Sequence, residues 1–87
     1  MRIVGQIEHP IIKITVLQMN NRFALKLEDN LLEQTYKFNE DDRLRTLEDM
    51  DKMVDKTFLD ECLQRFLDMN KSRGETYLRN IMNEKTE

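Results

Sequence analysis

Apolar and polar residues alternate with a period of two from residue 12 to residue 38, and the alternation continues across two predicted turns. A side-chain period of two is typical of strands with one face buried and the other face in water. A turn at Asn20-Asn21 places Lys13 opposite Glu28, so opposite charges meet at a cross-strand position. A second turn at Asp29-Asn30 adds a third strand. The pattern therefore predicts an antiparallel meander.

The predicted register assigns the strand residues to two faces of the sheet. Across the second turn, it sets Leu27 against Leu32, Phe23 against Tyr36 and Lys26 against Glu33. The apolar face, which needs a cover, consists of Ile12, Ile14, Val16, Phe23, Leu25, Leu27, Leu32, Tyr36 and Phe38. A candidate fourth strand runs from Arg2 to Glu8 and ends at His9-Pro10, because proline cannot donate to a strand ladder.

Beyond Phe38 the spacing of apolar residues changes to three and four, which is typical of helices. A capping residue is available at Asn39 and another at Thr46, and the region from 40 to 70 fits either one helix or two. Ser72 and Glu75 have the spacing of a capping box, which predicts a separate final helix. The residues expected to pack these helices on the sheet are Leu47, Val54, Phe58, Cys62, Phe66 and Ile81.

These patterns predict a single α+β domain over residues 1–87. A three- or four-stranded antiparallel meander, at about residues 2–38, precedes two or three helices, at about residues 40–85, packed on one sheet face. The single cysteine gives no sign of an oxidising compartment, and the start of the chain is too polar for a signal peptide. We therefore expect a cytoplasmic protein without contact to a membrane.

Catalytic and ligand-binding motifs do not stand out in this sequence. The chain has one histidine, His9, and one cysteine, Cys62, which is too few for a zinc site within one subunit. Its two glycines lie far apart, so the glycine-rich loops that bind nucleotides are missing. We therefore expect neither enzymatic activity nor a metal, a cofactor or a small-molecule substrate. Gln34 falls on the apolar face, where it either bonds Tyr36 or a helix end, or lines a ligand pocket.

The charge distribution indicates a protein partner. Residues 39–61 hold nine acidic and four basic side chains, whereas the flanking segments are nearly balanced. This balance argues against binding of duplex nucleic acid and suggests an acidic surface for a basic partner, with methionines adding apolar contacts. The candidate residues of this partner surface are Asp41, Glu48, Met50, Asp51, Met53 and Asp55.

Self-association is the second interaction that the sequence indicates. Leu17, Met19 and Leu31 fall on the sheet face that should be wet, and a domain of this size has a thin core. Exposed leucines beside an edge strand are what a second copy would cover. The most favoured function is therefore a non-enzymatic interaction or adaptor module that forms a homodimer.

Binding of single-stranded RNA is the alternative function. Lys13, Arg22, Lys26 and Lys37 project from the polar face of the predicted sheet. Base stacking needs aromatic side chains on the docking face, however, and the aromatic residues of the strands fall on the apolar face.

Part of the strand region also resembles known chains. The residues His9-Pro10-Ile11-Ile12-Lys13-Ile14-Thr15-Val16 and Leu32-Glu33-Gln34-Thr35-Tyr36 resemble short bacterial proteins that are conserved and uncharacterised. The resemblance implies a bacterial source. It implies no activity, cofactor or site residue.

Overall fold

Four strands form one antiparallel sheet, and the spatial order of the strands is their order in the chain. The computed structural model describes residues 1–82. A short helix and a long helix follow the sheet, and the long helix ends in a π-helical turn at Leu78–Met82. The elements are β1 (Arg2–Ile7), β2 (Lys13–Met19), β3 (Arg22–Asp29), β4 (Leu32–Asn39), α1 (Leu47–Met53) and α2 (Lys56–Tyr77). The predicted α+β class is confirmed, and so is the fourth strand.

The β2–β3 hairpin has the predicted register. Lys13 pairs with Glu28 and Val16 pairs with Leu25 across a two-residue turn at Asn20-Asn21. Asn20 has a φ of 55°, a left-handed conformation that asparagine tolerates better than most residues. An asparagine at the first turn position therefore closes this hairpin.

The second turn lies one residue later than predicted, at Asn30-Leu31. Here too the first turn position is an asparagine, and Asn30 has a φ of 57°. Because Asn30 takes that position, Asp29 remains in β3 and pairs with Leu32. The predicted turn at Asp29-Asn30 is therefore wrong, and the β3–β4 register is displaced by two residues. An even displacement keeps every side chain on its predicted face. The observed pairs are Leu27 with Gln34, Leu25 with Tyr36, Phe23 with Phe38 and Lys26 with Thr35.

One hydrophobic cluster joins the apolar sheet face to the helices. Val16, Leu25 and Leu27 are fully buried in it, and Met50 and Cys62 approach them from the helical side. In β1, a bulge between Ile3 and Gly5 interrupts the β1–β2 ladder. A Cβ atom at Gly5 would overlap the Leu47 side chain, so glycine at this position lets α1 pack closely on β1.

The region from 40 to 70 contains two helices, which settles the alternative that the sequence left open. The Thr46 side chain accepts a hydrogen bond from the Asp49 N–H, and the Asp49 carboxylate accepts from the Thr46 N–H, so α1 begins with a capping box. Asp55 caps α2 by accepting from the Phe58 N–H. Two caps in close succession break the helix at Val54.

The predicted separate final helix is wrong, because α2 continues through Ser72 and Gly74 to Tyr77. Helical hydrogen bonds to neighbouring residues outweigh a weak local capping signal here. The helix leaves the core after Met69, the last residue of α2 that packs against the hydrophobic cluster. Ile81, which we expected to pack on the sheet, is instead 49% exposed. The molecule is correspondingly elongated, with extents of 58 × 26 × 17 Å.

Candidate functional site

A polar cluster links β4 to α2 inside the interface between sheet and helix. The buried Gln34 amide donates to the Cys62 carbonyl at 2.8 Å, and its oxygen accepts from the Tyr36 hydroxyl at 2.6 Å. The Arg65 guanidinium donates to the same hydroxyl at 2.9 Å. Of the two alternatives for Gln34, the structure therefore shows bonds to both Tyr36 and a helix carbonyl.

The geometry of this cluster indicates a structural role and not a catalytic one. Burial raises the pKa of the Tyr36 hydroxyl, and the bond with the Cys62 thiol raises it further, so the phenol stays protonated and donates to Gln34. The Cys62 side chain is fully buried. A nucleophile or a base has to reach its substrate, and a tyrosine base needs a lowered pKa. The cluster therefore stabilises the packing of α2 on the sheet.

Local bonds account for several acids of the predicted partner surface. Asp41 accepts from the Arg43 N–H, Asp55 caps α2, and Glu48 lies 3.8 Å from Lys52 on the same helix. Asp51 and Met53 are exposed, as a surface role requires. Met50, by contrast, is fully buried in the core. The prediction that Met50 supplies partner contacts is therefore wrong, because Met50 lies on the side of α1 that faces the sheet.

The predicted RNA-binding cations lie on the outer sheet face, and their charge is partly neutralised. Lys13, Arg22 and Lys37 are exposed. The Lys26 ammonium lies 3.7 Å from the Glu33 carboxylate and 3.9 Å from that of Glu28. The three aromatic residues of the strands, Phe23, Tyr36 and Phe38, belong to or pack against the core cluster. RNA binding at this face stays a prediction, and these three aromatic side chains do not offer bases a surface for stacking there.

The three residues of the predicted self-association face lie at opposite ends of the sheet. Leu17 pairs with Ile3, and Met19 follows on the same face next to the β2–β3 turn. Leu31 forms the β3–β4 turn at the other end, and it is 76% exposed. The structure thus divides this face into two patches, and the second adjoins α2.

A groove of about 500 Å³ lies where α2 leaves the sheet, and Leu31 is on its rim. We call it the helix groove. Strand ends and the helix contribute mostly apolar side chains to its walls, chiefly Ile11, Leu31, Leu32, Leu63, Phe66 and Leu67. Residues 70–81 of the helix, of which Asn70 and Arg73 still line the groove, follow Met69, the last residue of α2 that packs against the core cluster. We call these residues the projecting segment.

The projecting segment carries an apolar stripe in water. Tyr77 is 53% exposed and Leu78 is 56% exposed, and Leu67, at the groove, is 64% exposed. Spacings of four and three alternate along this side of the helix, which is the heptad pattern of a paired helix. The positions, which we call the seam, are Leu63, Leu67, Asn70, Gly74, Tyr77 and Ile81. Sequence reasoning missed the seam because the predicted break at Ser72 divided the pattern.

Among the described residues, no group of histidine, cysteine, aspartate and glutamate side chains is arranged to hold a metal ion. Over the same residues, none of the helices has the length and apolar character that crossing a membrane requires. Scans against protein-family models, curated proteins and solved structures return no match to this chain.

Proposed function

We propose that this protein is a binding module for another polypeptide, and that the seam on α2 is its binding element. One observation carries the proposal: the helix continues for 12 residues beyond the core, from 70 to 81, with large apolar side chains in water. An isolated helix of that length is marginal in water, and tertiary packing normally supplies most helical stability. A partner on the seam would provide that packing.

The chemistry of the seam supports a polypeptide as the ligand. Its residues offer flat apolar area and few fixed polar groups, whereas a small-molecule site is a concave pocket with several converging polar groups. A helix presents such a stripe to another helix or lays it in a groove. Catalysis gains no support from this surface, because its seam positions hold no acid, base or nucleophile apart from the Tyr77 hydroxyl.

Site-specific photo-crosslinking in the native host tests the proposal. A photoreactive phenylalanine derivative at position 78 should give one discrete polypeptide adduct, because Leu78 borders the seam. The matched control carries the same group at Ser72, which is exposed on the opposite side of the helix. The adduct from position 78 should disappear when Leu67→Lys is added to the same chain. No adduct from position 78, or identical adducts from both positions, would contradict the proposal.

A further inference from the structure

We infer that the polypeptide on the seam is a second copy of this chain, paired antiparallel about a two-fold axis level with Ser72. The inference rests on the proposed function and names the partner. Its first support is the symmetry of the seam. In an antiparallel pair, positions equidistant from Ser72 meet: Leu67 meets the copy of Tyr77, Leu63 meets Ile81, and Asn70 meets Gly74.

The sizes of the seam residues fit this pairing. The pairs of Leu67 with Tyr77 and of Leu63 with Ile81 each form an outer layer of two large apolar side chains. The layer next to the two-fold axis combines Asn70 with Gly74. Apart from its chain neighbours and the backbone of its own helix, nothing lies within 4 Å of a Cβ atom placed at Gly74, so the space above the glycine is open to a second helix. Glycine allows close approach of the two backbones, and one asparagine in an apolar seam favours a single register. An isologous contact of this kind closes at two copies.

The exposed apolar area is the second support. The antiparallel arrangement brings the end of each projecting segment to the helix groove of the other copy. Each copy then covers six large side chains that are about half or more exposed, namely Ile11, Leu31, Leu67, Tyr77, Leu78 and Ile81. A half-exposed large side chain offers on the order of 100 Å². Twelve of them supply the roughly 1,000 Å² of total area that a specific interface needs.

The charges beside the seam distinguish a second copy from an acidic partner. Lys71 and Arg73 flank the seam next to the two-fold axis, so a dimer brings four cations close together. Salt screens repulsion between exposed like charges, and added salt should therefore strengthen the dimer. An acidic polypeptide on the same seam would be held partly by Lys71 and Arg73, and added salt would weaken that complex.

Sedimentation equilibrium of the purified full chain tests the pairing. We expect a dimer whose dissociation constant falls when the salt concentration is raised. Leu67→Lys and Tyr77→Lys should each raise the dissociation constant by about tenfold or more, because both place a charge in an apolar layer. Ser72→Lys is the matched control, because it adds the same charge to the helix on the face opposite the seam. Circular dichroism should show the folded spectrum for all three variants, whose substituted side chains are exposed.

Disulfide trapping tests the antiparallel direction. Chains with Asn70→Cys and chains with Gly74→Cys are mixed and oxidised, and Cys62 remains in place because it is fully buried. The antiparallel pair predicts the mixed disulfide between the two variants as the main product. A parallel pair would instead link each variant to itself, and that result would overturn the inference.

A monomer at all concentrations, or a dimer that Leu67→Lys and Tyr77→Lys leave unchanged, would also overturn the inference. The photo-crosslinking result then separates the two proposals. If the purified chain is monomeric and position 78 is linked to a different polypeptide, the second copy is excluded and the binding function stands. If position 78 yields no adduct, both proposals fail.

Discussion

At the scale of single residues, buried polar side chains explain how the helix is positioned on the sheet. Gln34 lies on the apolar face, as the alternation predicts, and its two hydrogen bonds explain how an amide is accommodated there. Leaving a buried polar group without a partner costs about 1–3 kcal/mol. The bonds of Gln34 to Tyr36 and to the Cys62 carbonyl therefore help to specify how α2 sits on β4.

We predict that Gln34→Leu lowers the free energy of unfolding by about 1–3 kcal/mol, because the Tyr36 hydroxyl loses its acceptor. Tyr36→Phe should cost about 1 kcal/mol for the same bond. The double variant should lose less than the sum of the two single losses, since both remove one shared interaction. Urea unfolding of the four proteins measures this coupling. Strictly additive losses would contradict a direct bond between the two side chains.

Substitution of the two glycines should have opposite effects on stability. Gly5→Ala puts a Cβ atom into the Leu47 side chain, and overpacking of this kind costs about 1–3 kcal/mol. Gly74→Ala meets open space in the middle of a helix, where alanine is favoured by about 0.5–1 kcal/mol. Thermal unfolding of dilute protein compares the two variants. In a Leu47→Ala chain, Gly5→Ala should cost less than it does in the native chain, and an equal cost in both would refute the steric explanation.

At the scale of elements, each helix begins at a residue whose side chain satisfies free backbone N–H groups. The Asp49 carboxylate accepts from the N–H groups of Arg45 and Thr46, and the first of these bonds is the main reason that its pKa lies below the usual value of 3.8. A lowered pKa means that the folded state favours the ionised carboxylate. The stability of the start of α1 therefore depends on pH.

We predict that the capping box stabilises the protein above about pH 4 and that its contribution is lost as the pH falls through the lowered pKa of Asp49. Asp49→Asn removes the charge, so it should be less stable than the native chain at pH 7. The difference between the two should shrink towards pH 3. Asp51→Asn, on the same helix but outside the box, is the control. Urea unfolding over this pH range measures both, and a constant difference for Asp49→Asn would contradict the linkage.

At the scale of the whole molecule, the core and the projecting segment have different roles. The hydrophobic cluster ends with Met69, and residues 70–81 add length without adding to the core. A chain without the projecting segment should therefore retain the fold, and a chain with it should gain stability from whatever covers the seam.

We predict that a chain ending after Arg73, which lacks most of the projecting segment, unfolds within a few degrees of the full chain in dilute solution, because it keeps every residue of the core cluster. The midpoint of the full chain should rise with protein concentration, since association stabilises the folded state by mass action. The midpoint of the shortened chain should not rise. Calorimetry at several concentrations tests both statements. An unfolded shortened chain would mean that the projecting segment is needed for the core.

The sequence by itself determined the strands, their two faces, the β2–β3 register and the α+β class. These features depend on a short-range period of two and on opposite charges at neighbouring positions, which are visible in the order of residues. Asparagine tolerates positive φ, and both turns begin at an asparagine, Asn20 and Asn30. A turn at Asp29-Asn30 puts Asn30 in the second position instead, and this is why the predicted β3–β4 register differs from the observed one by two residues.

Only the tertiary structure decided where the helices end and what they cover. Whether α2 stops at Ser72 depends on a balance between weak capping signals and continued helical hydrogen bonding, and these free energies are similar in size. Burial of Met50 depends on which side of α1 faces the sheet, and exposure of Ile81 depends on how far α2 extends past the sheet. The seam therefore depends on both the length of α2 and its packing on the sheet, and a local sequence pattern determines neither of them.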